Sequence, residues 1–169
     1  MTMRILRRRE LVEDDWRLVQ DGSAPIAGSE RLIVPLARLR AEREMLLASA
    51  AAVGVLLPNT EDVEAVYPEV RERPLIALTF PSFADGRALT QAAVLRNRLG
   101  FDGELRAVGD VVRDLVFWLG RCGFDCIVPR PDQDLEACRL ALDQYTATYQ
   151  PAADGRTPVW VARRARAAR

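Results

Sequence analysis

The chain has 169 residues, with 24 basic side chains against 24 acidic ones; histidine is absent, and every basic residue is arginine because lysine is absent too. These absences exclude Ser/His/Asp and Cys/His nucleophilic sets, histidine-ligated zinc, lysine Schiff bases and the usual phosphate-loop lysine. The balanced charge provides no global field toward nucleic acid or a membrane, and the longest apolar run is far short of the ~20 residues that cross a bilayer.

With 49% apolar and 28% charged residues, the composition is that of one globular domain. The opening MTMRILRRRE runs directly into Glu13, Asp14 and Asp15, so no apolar stretch of signal-peptide length follows the basic residues. The expectation is a soluble cytoplasmic protein. Cys122, Cys126 and Cys138 suit a reducing compartment better than a disulfide scaffold.

Residues 1–30 read as a strand or hairpin arm packed on the core, with Trp16, Leu18 and Val19 ahead of a turn at Asp21, Gly22 and Ser23. Residues 31–149 alternate strand and helix. An apolar run at 32–36 precedes a helical stretch through Leu39, Met45, Leu46 and Leu47; a second run, 53–57, leads through Pro58, Asn59 and Thr60 to a short acidic helix ending near Glu72. Asn59 or Thr60 is the expected cap of that helix. The run 75–80 is apolar throughout, as in a strand covered on both faces. The next helix, 88–99, repeats Ala88, Ala92, Leu95 and Leu99 at helical spacing before Gly100.

A fourth strand at 105–108 leads to a helix capped by Asp110, with Val112, Leu115, Val116 and Leu119 on its buried face. A fifth strand, 124–128, and a helix from Asp132 to Tyr145 follow, and the tail 150–169 carries a short strand at 159–161 before the arginine-rich end. About five consecutive strand-helix units imply an α/β fold with a mostly parallel sheet, either open or half-barrel-like.

In such architectures ligands collect where strand ends lead into helix starts. Pro58, Asn59 and Thr60, then Ser82, Asp85, Gly86 and Arg87, then Gly109, Asp110 and Arg113, and finally Arg130 occupy those positions. In FPSFADGR, Asp85 can cap the following helix, Gly86 permits close approach, and Arg87 presents a planar cation beside the helix terminus, a combination able to hold an anion. The competing reading is structural, with Asp85 as cap, Gly86 as backbone device and Arg87 as ion-pair partner of an acid. GELRAVGDVVRD repeats the pattern. Asp110 and Asp114, four residues apart on one helix face, suit acid/base or metal chemistry, or else one caps the helix and the other pairs with Arg113 or Arg106.

Cys122 and Cys126 have C-x3-C spacing, and no dinucleotide, Walker or paired CxxC signature is present. Arg7, Arg8, Arg9 and the basic tail are solvated or contact an acidic partner. Phe117, Trp118 and Phe124 form an apolar cluster in which an exposed Trp118 would mark an interface.

The stretches FPSFADGR, RNRLGFDGELRAVGD and LGRCGFD, in this order and spacing, with weaker similarity in RLIVPL and VGVLLPN, resemble a bacterial family of uncharacterised proteins described as probable oxidoreductases involved in sulfite reduction. The residues that match its motif are Asp85, Gly86, Arg87, Arg106, Gly109, Asp110, Asp114 and Cys122; Cys126 departs from the family's usual small residue there. The resemblance implies a role beside assimilatory sulfite reductase, and it transfers no catalytic residue and no cofactor. Two functions remain in view. One is an accessory protein that docks on sulfite reductase or its electron donor, with Ser82, Asp85, Gly86, Arg87, Arg106, Gly109, Asp110, Arg113 and Asp114 as the binding face and neither nucleic acid nor membrane as partner. The other is an enzyme or sensor binding a sulfur oxyanion or a phosphorylated metabolite at the same arginines. Direct redox use of Cys122 is a third.

Overall fold

The computed structural model describes residues 3–19, 30–48 and 52–167, so the expected turn at Asp21, Gly22 and Ser23 lies outside the described residues. The chain starts with a hairpin of β1 (Arg4–Arg7) and β2 (Glu10–Glu13). Its turn residues, Arg8 and Arg9, both have positive φ (46° and 74°), the handedness that matches the twist of paired strands. Next come β3 (Arg17–Leu18), β4 (Arg31–Pro35), α1 (Leu36–Ala41), α2 (Arg43–Ala48), β5 (Ala52–Leu57), α3 (Val63–Val70), β6 (Leu75–Phe80) and α4 (Arg87–Asn97). The remainder is β7 (Glu104–Gly109), one 3₁₀ turn (Arg113–Leu115), α5 (Val116–Arg121), β8 (Cys126–Ile127), α6 (Leu135–Ala141) and α7 (Val159–Ala167).

The eight strands of the described residues join one sheet in the order β2-β1-β8-β7-β6-β5-β4-β3. From β3 to β8 every pairing is parallel, and only the β1–β2 hairpin is antiparallel, both within itself and to β8. The fold is therefore α/β with a mostly parallel mixed sheet. Because each parallel strand is added beside the last in one direction, crossovers of one hand place the helices on one face. The core shows this: Leu39 of α1, Val66 of α3, Leu95 of α4, Leu119 of α5 and Cys138 of α6 pack in one cluster with Val34, Val55, Ile76 and Leu105 of the strands.

The sheet is curled. β2 and β3 are its two edges, yet only residues 14–16 separate them in sequence. Four Cα steps span at most about 14 Å, whereas eight strands laid flat would hold their outer members roughly 34 Å apart. The edges must turn toward each other, and residues 14–16 form a strap across the inner face, opposite the described core helices. Asp14 there meets Arg106 of β7, Asp15 bonds both Arg7 of β1 and Arg31 of β4, and Trp16 packs on a small cluster of Ile33, Leu75 and Ala77.

Several local expectations are corrected. The tail segment 159–161 is the start of helix α7, where the amides of Val161 and Ala162 donate to the Pro158 carbonyl; proline is well placed at a helix start and the alanines and arginines behind it are strong helix formers. Asp62, and not Asn59 or Thr60, caps α3 by accepting from the Glu64 amide at 3.0 Å. Asp110 does not open a helix: Val112 is extended, the 3₁₀ turn follows, and α5 begins only at Val116, so Asp110 and Asp114 do not share a helix face. The last core helix is short because Asp134 caps it from inside the expected span, its carboxylate accepting from Glu136 and Ala137. β8 is only two residues long. Among the described residues, no helix is long and apolar enough to cross a membrane.

Candidate functional site

The carboxyl ends of β6, β7 and β8 carry the loops that the sequence singles out, and one residue joins them. Gly109 has φ +103°, and a Cβ there would lie 2.4 Å from the Phe80 carbonyl oxygen, so this position requires glycine. The close approach lets the Asp110 amide donate to Phe80 O at 2.7 Å. The Asp110 carboxylate then accepts from the Phe83 amide at 2.8 Å on one side and from the Arg130 guanidinium at 2.9 Å on the other. Arg130 also grips Asp132 at 2.9 Å, and the Arg113 amide donates to Gln133. The three loops are thus tied laterally by charge-assisted bonds.

Within the first loop, the Ser82 carbonyl accepts from the Asp85 amide at 3.0 Å, closing a turn. Asp85 accepts from the Arg87 amide at 3.2 Å and from its guanidinium at 2.6 Å. The hydrogen bond from the Arg87 side chain holds the Asp85 carboxyl far below the usual carboxylate range, with the Arg87 backbone and the Asn59 side chain adding to the effect. Gly86 stands at the N-cap of α4, where an added Cβ would meet only Leu89 at 3.8 Å, so no close approach depends on it. Arg113 reaches Asp114 at 3.3 Å, and the Asp114 carboxylate is otherwise open to water.

Arg106 is not part of this face. It is 1% exposed and projects from β7 onto the inner side of the sheet, where it bonds both Asp14 oxygens at 2.9 Å and pairs with Glu104 at 2.9 Å. Ser82, Asp85, Gly86, Arg87, Gly109 and Asp110 come together through the Asp110–Phe83 link, Arg113 and Asp114 lie on the adjoining turn, and Arg106 answers to the strap.

The thiols are separated in the same way. Cys122 packs against the helix-side core, while Cys126 sits laterally between Arg106 and Arg7 on the inner face. Burial raises the pKa of each cysteine, that of Cys126 to about 12 despite the Arg106 charge beside it. Neutral thiols on opposite faces are poor nucleophiles and no redox pair. Among the described residues, no three acidic or cysteine side chains gather as metal ligands.

Three contributors escape a sequence reading. Phe83 projects from the loop tip, 56% exposed; an aromatic in the middle of a polar turn is the one signal that could have found it. Gln91, buried on the apolar seam of α4, donates to the carbonyls of Pro58 at 3.0 Å and Glu61 at 2.9 Å, pinning the neighbouring turn. A polar residue within the Ala88, Ala92, Leu95 seam was its trace. Thr79 helps to line a shallow hollow of about 180 Å³ with Pro35, Leu56 and Pro58 at the same end of the sheet, and carries no sequence signal. A second hollow, about 270 Å³, lies between the start of α3 and α4, bordered by Asn59, Arg87, Thr90 and Gln91.

Chemically, every arginine of the face is paired: Arg87 with Asp85, Arg113 with Asp114, and Arg130 with both Asp110 and Asp132. Such arginines have little unspent charge for a small oxyanion, and Asp85 and Asp132, held below the usual carboxylate range by Arg87 and Arg130, are poor proton acceptors at neutral pH. A rigid rim of paired charges around an exposed aromatic is an arrangement suited to a protein contact.

In comparison with known proteins, residues 54–160, more than half of the chain, match the family described as "Bacterial protein of unknown function (DUF934)". No curated protein and no solved structure matches the chain.

Proposed function

We propose, for a chain that belongs to the bacterial DUF934 family, a role as an accessory protein of assimilatory sulfite reduction that docks on sulfite reductase or its electron donor through the strand-end face. The pathway rests on the resemblance of FPSFADGR, RNRLGFDGELRAVGD and LGRCGFD to proteins described as acting in sulfite reduction. The docking mode is carried by one observation: Phe83 stands 56% exposed on a loop whose backbone is fixed by Asp110, while every arginine around it already has a carboxylate. Fixing the aromatic in advance lowers the ordering cost of association, and a rim whose arginines are already paired leaves specificity to shape and hydrogen bonding.

Purification of the tagged chain from its host, with quantitative mass spectrometry, tests this reading. Sulfite reductase or its electron donor is expected in near-stoichiometric amount and is expected to fall at least tenfold with Phe83→Ser. The competing reading, a small-anion binder at the same arginines, predicts instead that sulfite, sulfate or phosphate raises thermal stability, by about 2.7 kcal/mol at a hundredfold excess over Kd. Recovery of the protein without either partner, together with such stabilisation, overturns the docking role.

A further inference from the structure

A second surface lies on the helix layer, built by none of the strand-end loops. Phe117 and Trp118 of α5, Tyr145 after α6, and Thr148 and Tyr149 in the following loop line an open groove of about 460 Å³. Its floor is rigid, for Phe117 packs edge-on against both Trp118 and Tyr145, with ring centroids 5.2 and 4.8 Å apart. Arg121, buried beneath it, fixes the far wall by donating to the Gln150 carbonyl and to Asp154 at 2.7 Å. The apolar walls are nonetheless open, with Trp118 52% and Tyr149 73% exposed. Patches this rich in Trp and Tyr mark interaction sites.

Helix α7 continues this surface. The Val159 amide donates to Thr148 O at 2.8 Å and the Trp160 indole to Tyr149 O at 3.1 Å, so the helix start is bolted to the groove wall while no residue of the helix is buried. α7 contains Arg163, Arg164 and Arg166 and no acid. Arg164 lies over the Trp160 ring at 5.4 Å, and among the described residues none of the three has an ion-pair partner. Asp154 and Asp143, beside the preceding segment, are committed elsewhere: Asp154 to Arg121 and Arg156, and Asp143 to Arg9 and Arg156. This contrasts with the strand-end face, where each arginine is neutralised.

From an aromatic groove that runs onto an unneutralised arginine helix we infer that this surface docks an acidic segment of a partner protein, one that places an apolar anchor in the groove and its carboxylates along α7. The unpaired cations attract the segment and set its direction, and the groove supplies the apolar contact. A concave cleft presents no flat apolar face to a bilayer, and the packed aromatic floor suits an apolar anchor side chain of a protein segment.

The test uses the full chain and fluorescence anisotropy of a labelled amphipathic peptide with Glu on one side and Leu and Phe on the other, beside the same peptide with Gln for Glu. The Glu peptide is expected to bind, to weaken steeply with salt, and to lose at least tenfold in affinity with Trp118→Ala and again with the triple variant R163Q/R164Q/R166Q. Phe83→Ser is expected to leave it unchanged, which separates this surface from the proposed reductase contact. All variants lie at exposed positions, and their melting temperatures check folding. Equal binding of the Gln peptide, undiminished binding by the variants, absence of binding, or preferential binding of phosphatidylglycerol vesicles or single-stranded oligothymidine each overturns the inference.

Discussion

The two faces of the curled sheet are built on opposite principles. On the helix side, Val34, Val55, Ile76, Leu78, Leu105 and Ile127 form one continuous apolar core. On the inner side, among the described residues, buried Ile33, Leu75 and Ala77 make a small apolar cluster with Trp16, Leu56 and Val108 against it, and beside it Arg7, Arg106, Glu104 and Asp14 are packed as ions. The first face needs only hydrophobic side chains of suitable volume. The second needs each charge to meet its partner, because an unpaired buried ion is far more damaging than a missing methyl group. The inner face therefore depends on the strap, which contributes nothing to the helix-side core.

The largest contrast lies in thiol chemistry. With its pKa at about 12, Cys126 on the inner face carries roughly a thousandfold less thiolate than a thiol at its ordinary value, so iodoacetamide labelling in the folded protein is expected to be suppressed on that scale. Labelling with mass readout at each cysteine, with and without urea, measures it. Rapid modification of Cys126 in the native state would show the inner face to be open.

Next in size is the strap. Asp14→Ala leaves Arg106 buried with a weaker set of partners and is expected to lower stability by about 3–5 kcal/mol in urea titration. Replacing Arg106 and Asp14 together by Met and Leu is expected to restore most of that loss, which a simple packing role for Asp14 does not predict. A conservative truncation on the other face, Ile76→Val, is expected to lower stability by only about 0.5–1.5 kcal/mol. If the two single variants are equivalent, the contrast between the faces disappears.

The smallest effect concerns acid. Burial pushes the Asp15 carboxyl up, but the hydrogen bond and charge of Arg7, together with Arg31, hold it below its ordinary value. A carboxylate depressed in the folded state contributes stability that is fully present above its unfolded pKa, about 4, and is lost as pH falls through the lower folded value. Because Asp15 is nearly half exposed, the contribution is under about 1 kcal/mol. Melting curves from pH 7 to 2 are expected to stay level down to about pH 4 and then fall, with a shallower fall in Asp15→Asn.

Legibility in the sequence follows the same division. The helix-side core announces itself through runs such as LIALTF and the Ala88, Ala92, Leu95 spacing, since periodicity is a local property. α4, expected at 88–99, follows within a residue or two as Arg87–Asn97. The strand-end loops were also legible, because glycine, proline and capping acids punctuate them. Arg106 was not: nothing near β7 reveals that its partner is Asp14, 92 residues earlier. The closure of the sheet was hidden for the same reason, since it follows from which strands form the edges. Val159 and Val161 misled because β-branched residues suggest a strand, and here Pro158 starts a helix whose surroundings leave it unpacked. Trp118 was visible only as a condition, and its exposure turns an apolar cluster into a surface.

The hairpin at the start of the chain also dictates an order of assembly. Leu6 pairs with Ile127, so β1, paired with β2 in its own hairpin, acquires its other neighbour only once β8, about 120 residues later in the chain, has emerged. During translation the β3–β7 region can add strands sequentially as it emerges, but the amino-terminal hairpin must wait with one edge unsatisfied. Long-range pairing of this kind slows folding and prolongs exposure of an unpaired edge. The charged residues that flank this hairpin, Arg4, Arg8, Arg9 and Glu13, are well suited to keep that waiting edge from recruiting another nascent chain.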